Sequence, residues 1–312
     1  MAGSGVEPPL ALVGTTASGK SALAMELARV RPEAEIVSVD SMQVYRGMDI
    51  GTAKPTPAEQ AEVPHHLLDL ADPWDDHDLA TYQAAAREAL ADIERRGRRA
   101  LLVGGTALYL RAVVDDLTLP GQFPEMRAEL EVEADERGVE TLHARLTDLD
   151  PDAAARMEPT NRRRIVRALE VTLGSGRPFS SFGPGLDAHA ATPFRLVGLR
   201  WDRAELDQRI ADRYRQQLAL GFLDEVRQLV ESPRPMSRSA GQALGYKELA
   251  AHVRGECSLD EALDLAVRRT RRFARRQDRW FRRDPRIHWV DVTGDPLDHV
   301  DQVRDALERP AQ

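Results

Sequence analysis

Gly14-Thr15-Thr16-Ala17-Ser18-Gly19-Lys20-Ser21 decides how the rest of the chain is read. It fits G-x-x-x-x-G-K-[ST] without a mismatch. The apolar run 10–13 precedes it, and Leu23, Leu27 and Val30 follow it at helical spacing. A strand, a glycine-rich turn and a helix therefore stand in the order a phosphate cradle needs. The glycines let the backbone N–H groups curl towards an anion, and the helix N-terminus adds a favourable dipole. Lys20 supplies a mobile positive charge, and the Ser21 hydroxyl can ligate Mg²⁺. The motif predicts a phosphorylated ligand without specifying ATP.

Working outward, residues 36–40 read as a second strand, 78–96 as a helix ended by Gly97, and 100–103 as a third strand stopped by Gly104-Gly105. This alternation predicts an α/β fold, a P-loop NTPase-like parallel sheet with helices on both faces. Past Pro120-Gly121 the pattern turns helical, with stops at Gly138, Asp150-Pro151, Pro159 and Gly174, and Thr160 or Asn161 as a cap. A Gly, Pro and Ser-rich stretch, 174–193, then leads back to strand character at 194–199. Long helices are expected over 203–230 and 260–281, and a last strand over 287–292. The predicted organisation is a core of residues 1–120 and 194–312, interrupted by a helical insertion at 121–193.

Composition sets the broad class. The chain has 312 residues, 42% hydrophobic and 30% charged, which suits a globular protein with a core. No apolar run reaches the ~18 residues of a membrane span, and MAGSGVEPPL lacks the pattern of a signal peptide. Cys257 is the only cysteine, so a reducing cytoplasm is the expected setting, and the thiol reads as an ordinary small side chain. The net charge is −8, yet ten arginines face only Asp278 and Asp284 between 268 and 286. Four more arginines and no acid lie between 161 and 167. Positive charge concentrated on an otherwise acidic chain is the footprint of a polyanion partner.

Asp40 closes the second strand. Strand C-termini line the ligand crevice of open parallel sheets, so Asp40 and the P-loop should share one cleft. The competing role for Asp40 is to cap the turn that follows. The third strand ends in glycines rather than in the metal-binding aspartate of many P-loop ATPases, which demotes motor-type ATPases and leaves kinases open. Adjacent His65 and His66, with no matching third ligand, read as structural.

With these residues in view, the chain resembles the bacterial-type tRNA dimethylallyltransferase family. The matching stretches are GTTASGKS, DSMQVYRGMDIGTAKP, PHHLLD, GGTALY, RRIVRALE and RRFARRQDRWFR, in the family's order and spanning about residues 10 to 283. Thr15 departs from the proline common in relatives, and the stretch 161–164 is more basic than usual, with no role assigned to Arg162. The resemblance implies dimethylallyl diphosphate as donor, a tRNA adenine as acceptor and Mg²⁺ as cofactor. Asp40 would accept the proton of the adenine amine. Lys20, the P-loop amides and Mg²⁺ on Ser21 would hold the diphosphate, with Arg213 near it. Asp40, Ser41, Met42 and Gln43 would meet the target nucleotide, the Gln43 amide being able to read an adenine edge. Thr106 would contact the substrate near the reacting adenine, or cap the next helix, or do both. In the insertion Arg127, Arg163, Arg164, Ile165, Val166 and Arg167 would form the tRNA-contacting segment. Arg163, Arg164 and Arg167 lie on one helical side, with Ile165, Val166 and Leu169 on the other. The arginines of 268–282 would hold phosphates rather than read bases. A monomer without a membrane partner is expected. Three other readings share parts of this pattern: a small-metabolite kinase, a prenyltransferase of free AMP, and a nucleotide-gated RNA-binding protein.

Overall fold

A computed structural model describes residues 7–309. Six strands run in chain order: β1 (Leu10–Gly14), β2 (Ala34–Val39), β3 (His65–His66), β4 (Arg99–Gly104), β5 (Arg195–Trp201) and β6 (Ile287–Val292). They form one all-parallel sheet in the order β3-β2-β4-β1-β5-β6. The helices are α1 (Lys20–Arg29), α2 (Pro57–Glu62), α3 (Leu79–Arg95), α4 (Ala107–Val114), α5 (Pro124–Arg137), α6 (Val139–Leu149), α7 (Pro151–Ala154) and α8 (Arg162–Ser175). They continue with α9 (Arg203–Ala219), α10 (Phe222–Val230), α11 (Tyr246–Val253), α12 (Leu259–Phe281) and α13 (Val300–Glu308). No described helix is long and apolar enough to cross a membrane.

The chain divides into two compact units, Met1–Asp115 with Ala191–Gln312, and Asp116–Ala190. In the larger unit every residue of β1, β2 and β4 is buried, as a sheet covered on both faces requires. The period of two then sorts the side chains. Leu10 and Leu12 join Leu23, Leu27, Val303 and Leu307 on the face covered by α1 and α13. Ala11 and Val13 join Tyr82, Leu110, Ala266 and Phe281 on the other face. In the smaller unit Leu130, Leu142, Leu146, Ile165, Val166 and Leu169 close a separate core between α5, α6 and α8.

One expectation changes. The helical run 203–230 is two helices, because Gly221 takes φ 98° and turns the chain between α9 and α10. An amphipathic pattern that continues through the break hid it. His65 and His66 form the short edge strand β3, where His66 Nε2 lies 2.7 Å from Glu35 and His65 Nδ1 lies 2.7 Å from the Val63 carbonyl.

Candidate active site

The C-termini of β2, β4 and β1 lie side by side, and each delivers one part of the site: Asp40, Thr106 and the P-loop. The loop after β1 curls because Ala17 and Gly19 both adopt left-handed backbone, φ 62° and 82°. Its outside is held by side chains from far along the chain. Gln277 of α12 accepts from Thr16 N at 2.9 Å and donates to the Gly105 carbonyl at 2.7 Å, tying the P-loop to the end of β4. Trp201 Nε1 donates to the Ser18 carbonyl at 3.0 Å, and Arg209, stacked on the Trp201 ring, donates to the Ala17 carbonyl at 3.0 Å. The Trp201 and Arg209 bonds use loop carbonyls, whereas Gln277 takes up the Thr16 N–H. Nothing in local sequence pattern signals Gln277, Trp201 or Arg209, since each acts only through tertiary contact.

Lys20 begins α1 and donates to the Thr15 carbonyl at 3.1 Å. Part of the residue reaches solvent, but burial around its ammonium pushes its pKa down to about 8. Asp40 opposes that shift and Arg213 adds to it, so the three charges share one neighbourhood. Arg213, on α9, donates to Thr16 Oγ1 at 3.2 Å and to the Gly51 carbonyl at 3.4 Å, and burial likewise lowers its pKa. Two cations held against desolvation beside a curled loop favour an anionic ligand. Ser21 is exposed in the first turn of α1, where its hydroxyl suits the single protein oxygen that a phosphate-bound Mg²⁺ needs.

Asp40 does cap the following turn: Oδ1 accepts from Met42 N at 2.8 Å and Gln43 N at 3.4 Å. The second carboxylate oxygen has no protein donor among the described residues and stays available for a proton. Thr106 does not cap α4 with its side chain. Its Oγ1 instead accepts from Ser41 N at 3.1 Å and lies 3.4 Å from Ser41 Oγ, which locks the end of β4 to the segment after β2. Gln43 is corrected from base reader to structural brace. Its amide accepts from Ser38 Oγ at 2.7 Å and donates to the Thr52 and Ala53 carbonyls at 3.3 and 3.1 Å, and the residue is buried. Met42 and Ser41 remain partly exposed.

Residues 41–54 form an irregular loop with two anchors that sequence reasoning missed. The buried Lys54 ammonium donates to the Tyr45 carbonyl at 2.7 Å, Asp49 at 2.5 Å and Asp69 at 2.6 Å. The Glu225 carboxylate gathers the backbone N–H groups of Asp49, Ile50 and Gly51 at 3.0, 2.7 and 3.2 Å. The same carboxylate accepts from the Tyr246 hydroxyl at 2.5 Å.

In the smaller unit Arg163 and Arg164 are exposed and make no side-chain hydrogen bond or ion pair among the described residues. Ile165 and Val166 are corrected: both are fully buried in the unit's core, so neither side chain can meet RNA. Arg167 is committed to Glu170 at 2.6 Å and the Pro120 carbonyl at 2.9 Å, and Arg127 to Glu170 at 3.2 Å. Arg162 braces α8 to α5 through Glu131 at 2.8 Å and Asp135. Among the described residues no group of three His, Cys, Asp or Glu could hold a metal by itself.

Comparison with known proteins places this geometry. The IPP transferase family model matches residues 43–284. A tRNA dimethylallyltransferase of Streptomyces coelicolor is 49% identical over 304 residues, covering 96% of each chain. One of Geobacter metallireducens is 49% identical over 286 residues, covering 90% of this chain and 91% of that one. The crystal structure of a full-length tRNA isopentenylpyrophosphate transferase from Bacillus halodurans superposes with a TM-score of 0.68 at 38% identity, covering 97% of both chains. A eukaryotic dimethylallyltransferase captured acting on tRNA superposes with a TM-score of 0.79 at 26% identity, covering 96% of this chain and 77% of that one. On its sequence and its fold, the chain belongs to the IPP transferase family.

Proposed function

We propose that this protein transfers a dimethylallyl group from dimethylallyl diphosphate to the exocyclic amine of the adenine just 3′ of the anticodon, position 37 of tRNA. The single observation that carries the reading is the shared neighbourhood of Lys20, in the P-loop after β1, Arg213, on α9 and bonded to Thr16, and Asp40, at the end of β2. It sets cations for a leaving diphosphate beside a carboxylate for an acceptor proton. The relatives' activity on tRNA supports the choice of acceptor.

The amine lone pair is delocalised into the purine ring, so the nitrogen is a poor nucleophile. As the new N–C bond forms, the allylic C–O bond breaks and its electron pair leaves with the diphosphate. The amine proton passes to the free oxygen of Asp40, help worth roughly 10²–10⁴-fold. Lys20, Arg213 and the loop amides meet the charge that grows on the leaving oxygen. Ser21 would hold Mg²⁺, which when bound neutralises part of the diphosphate charge. Arg163 and Arg164 would hold RNA phosphates, offsetting the few kcal/mol needed to unstack the target base.

The test uses the purified protein with Mg²⁺, radiolabelled dimethylallyl diphosphate and unmodified tRNA, with ATP and AMP arms. Label entering tRNA without ATP is the expected result. Label entering AMP alone, or ATP turnover on a small acceptor without prenyl transfer, overturns the reading.

A further inference from the structure

Four buried side-chain atoms lack a hydrogen-bond partner among the described residues: Ser18 Oγ, Trp74 Nε1, His77 Nε2 and Arg99 Nη2. Ser18 belongs to the P-loop. Arg99 lines a cavity of about 690 Å³ at the opposite end of the sheet, where Glu7, Glu33 and Glu308 counter the arginines. His77 is different. It lines a cavity of about 270 Å³ with Ser41, Met42, Tyr109, Ser239 and Gln242. Ser41 directly follows Asp40, so this cavity opens beside the proposed base. No P-loop residue lines it. In the sheet, β4 separates the P-loop strand β1 from β2, whose end carries Asp40. The cavity wall therefore holds residues that follow β2 and β4 and none that follow β1, the P-loop strand.

Its chemistry suits a nucleobase better than a five-carbon tail. The buried Tyr109 ring, backed by Tyr82 at 4.2 Å, offers a rigid stacking face. Ser41, Ser239 and Gln242 add polar groups at the wall. An apolar tail would leave the His77 nitrogen unpaired, and an unpaired buried polar group costs about 1–3 kcal/mol. A purine brings ring nitrogens that can pair with it.

We infer that His77 is a base-reading residue: its Nε2 hydrogen-bonds a ring nitrogen of the acceptor adenine seated in this cavity. Burial lowers the imidazole pKa, so the ring is neutral near pH 7 and Nε2 donates in the Nε2–H tautomer. The inference rests on the proposed function, because it needs an adenine as acceptor.

The experiment compares wild type, His77→Phe and His77→Gln on anticodon stem-loops carrying adenine, 1-deazaadenine, 3-deazaadenine or 7-deazaadenine at the acceptor position. Rates, KM for donor and KM for RNA are read, with melting temperature as a folding check. For wild type, one deaza analogue should lower kcat/KM for RNA by about 10-fold, the size of one lost hydrogen bond. That penalty should vanish in His77→Phe, which is slowed on adenine itself. His77→Gln, which keeps a side-chain N–H, should retain most of the rate and of the discrimination. A His77→Phe enzyme that still discriminates the same analogue overturns the inference. So does a rise in KM for donor with KM for RNA unchanged, which would give the cavity to the allylic tail. If wild type transfers no label to the adenine stem-loop, the proposed function itself fails, a distinct result.

Discussion

At the residue scale the site separates a carboxylate's two oxygens by task. Asp40 Oδ1 holds the turn through Met42 N and Gln43 N, and the other oxygen, which has no protein donor among the described residues, is the one the proposed proton transfer would use. Asp40→Asn keeps an acceptor for the turn and removes only the basic group. We expect kcat to fall by roughly 10²–10⁴-fold with tRNA affinity unchanged in a filter-binding assay. Loss of tRNA binding in parallel would instead assign Asp40 a structural role. Lys20 gives a pH signature. Burial around its ammonium pushes its pKa down to about 8, well below the ordinary lysine value of 10.5. A diphosphate prefers the charged form, so KM for donor should climb above pH 8, approaching ~10-fold per unit. Folding follows the opposite sign. Between about pH 8 and 10.5 the unfolded chain keeps this proton and the folded one does not, so stability rises with pH through that window. Lys20→Arg, whose guanidinium does not titrate there, should abolish the KM limb. A limb that persists in the variant belongs to another group.

At the element scale the decisive piece is the irregular loop 41–54 rather than a helix or strand. It is held from beneath by Lys54 and from the side by Glu225. Asp49 and Asp69 are 57% and 42% exposed, so their share of the Lys54 bonds is small, and the buried Tyr45 carbonyl dominates. Lys54→Met should cost about 1–3 kcal/mol, read as a lower melting temperature, and should lower transfer more than Lys54's distance from the chemistry suggests. An unchanged melting temperature would show that water replaces the ammonium at no cost. These anchors also mark the limit of the sequence. The P-loop and the strand-end Asp40 were legible because a buried apolar run, a glycine turn and a helical period are local signals. Gln277 meets Thr16 across 261 positions, and no local pattern reports such a contact. Gln43 misled because a free amide in a motif and a brace are the same letter. Ile165 and Val166 misled in another way. The helical period puts them on the apolar face, where they are, and membership of a basic segment does not bring a side chain into contact.

At the scale of the whole molecule, charge is distributed against its average. The net charge of −8 should repel RNA, yet α8 presents Arg163 and Arg164 unpaired, and α12 exposes Arg268, Arg272, Arg276 and Arg279. Binding must therefore rest on a few local phosphate contacts, and such contacts release counterions. Each contact to single-stranded RNA adds about 0.7 to the slope of log affinity against log salt. Arg163→Ala with Arg164→Ala should then weaken tRNA binding and flatten the slope by about 1.4 if both meet phosphates. KM for dimethylallyl diphosphate should not change. Arg162→Ala is the internal control: its guanidinium is spent on Glu131 and Asp135, so it should lower the melting temperature and leave the slope nearly intact. The contrast matters because these arginines are neighbours in sequence and identical in charge. Only the acids around them differ. If all three variants flatten the slope equally, the ion pairs of Arg162 open on binding, and the division between bracing and binding arginines on α8 is wrong.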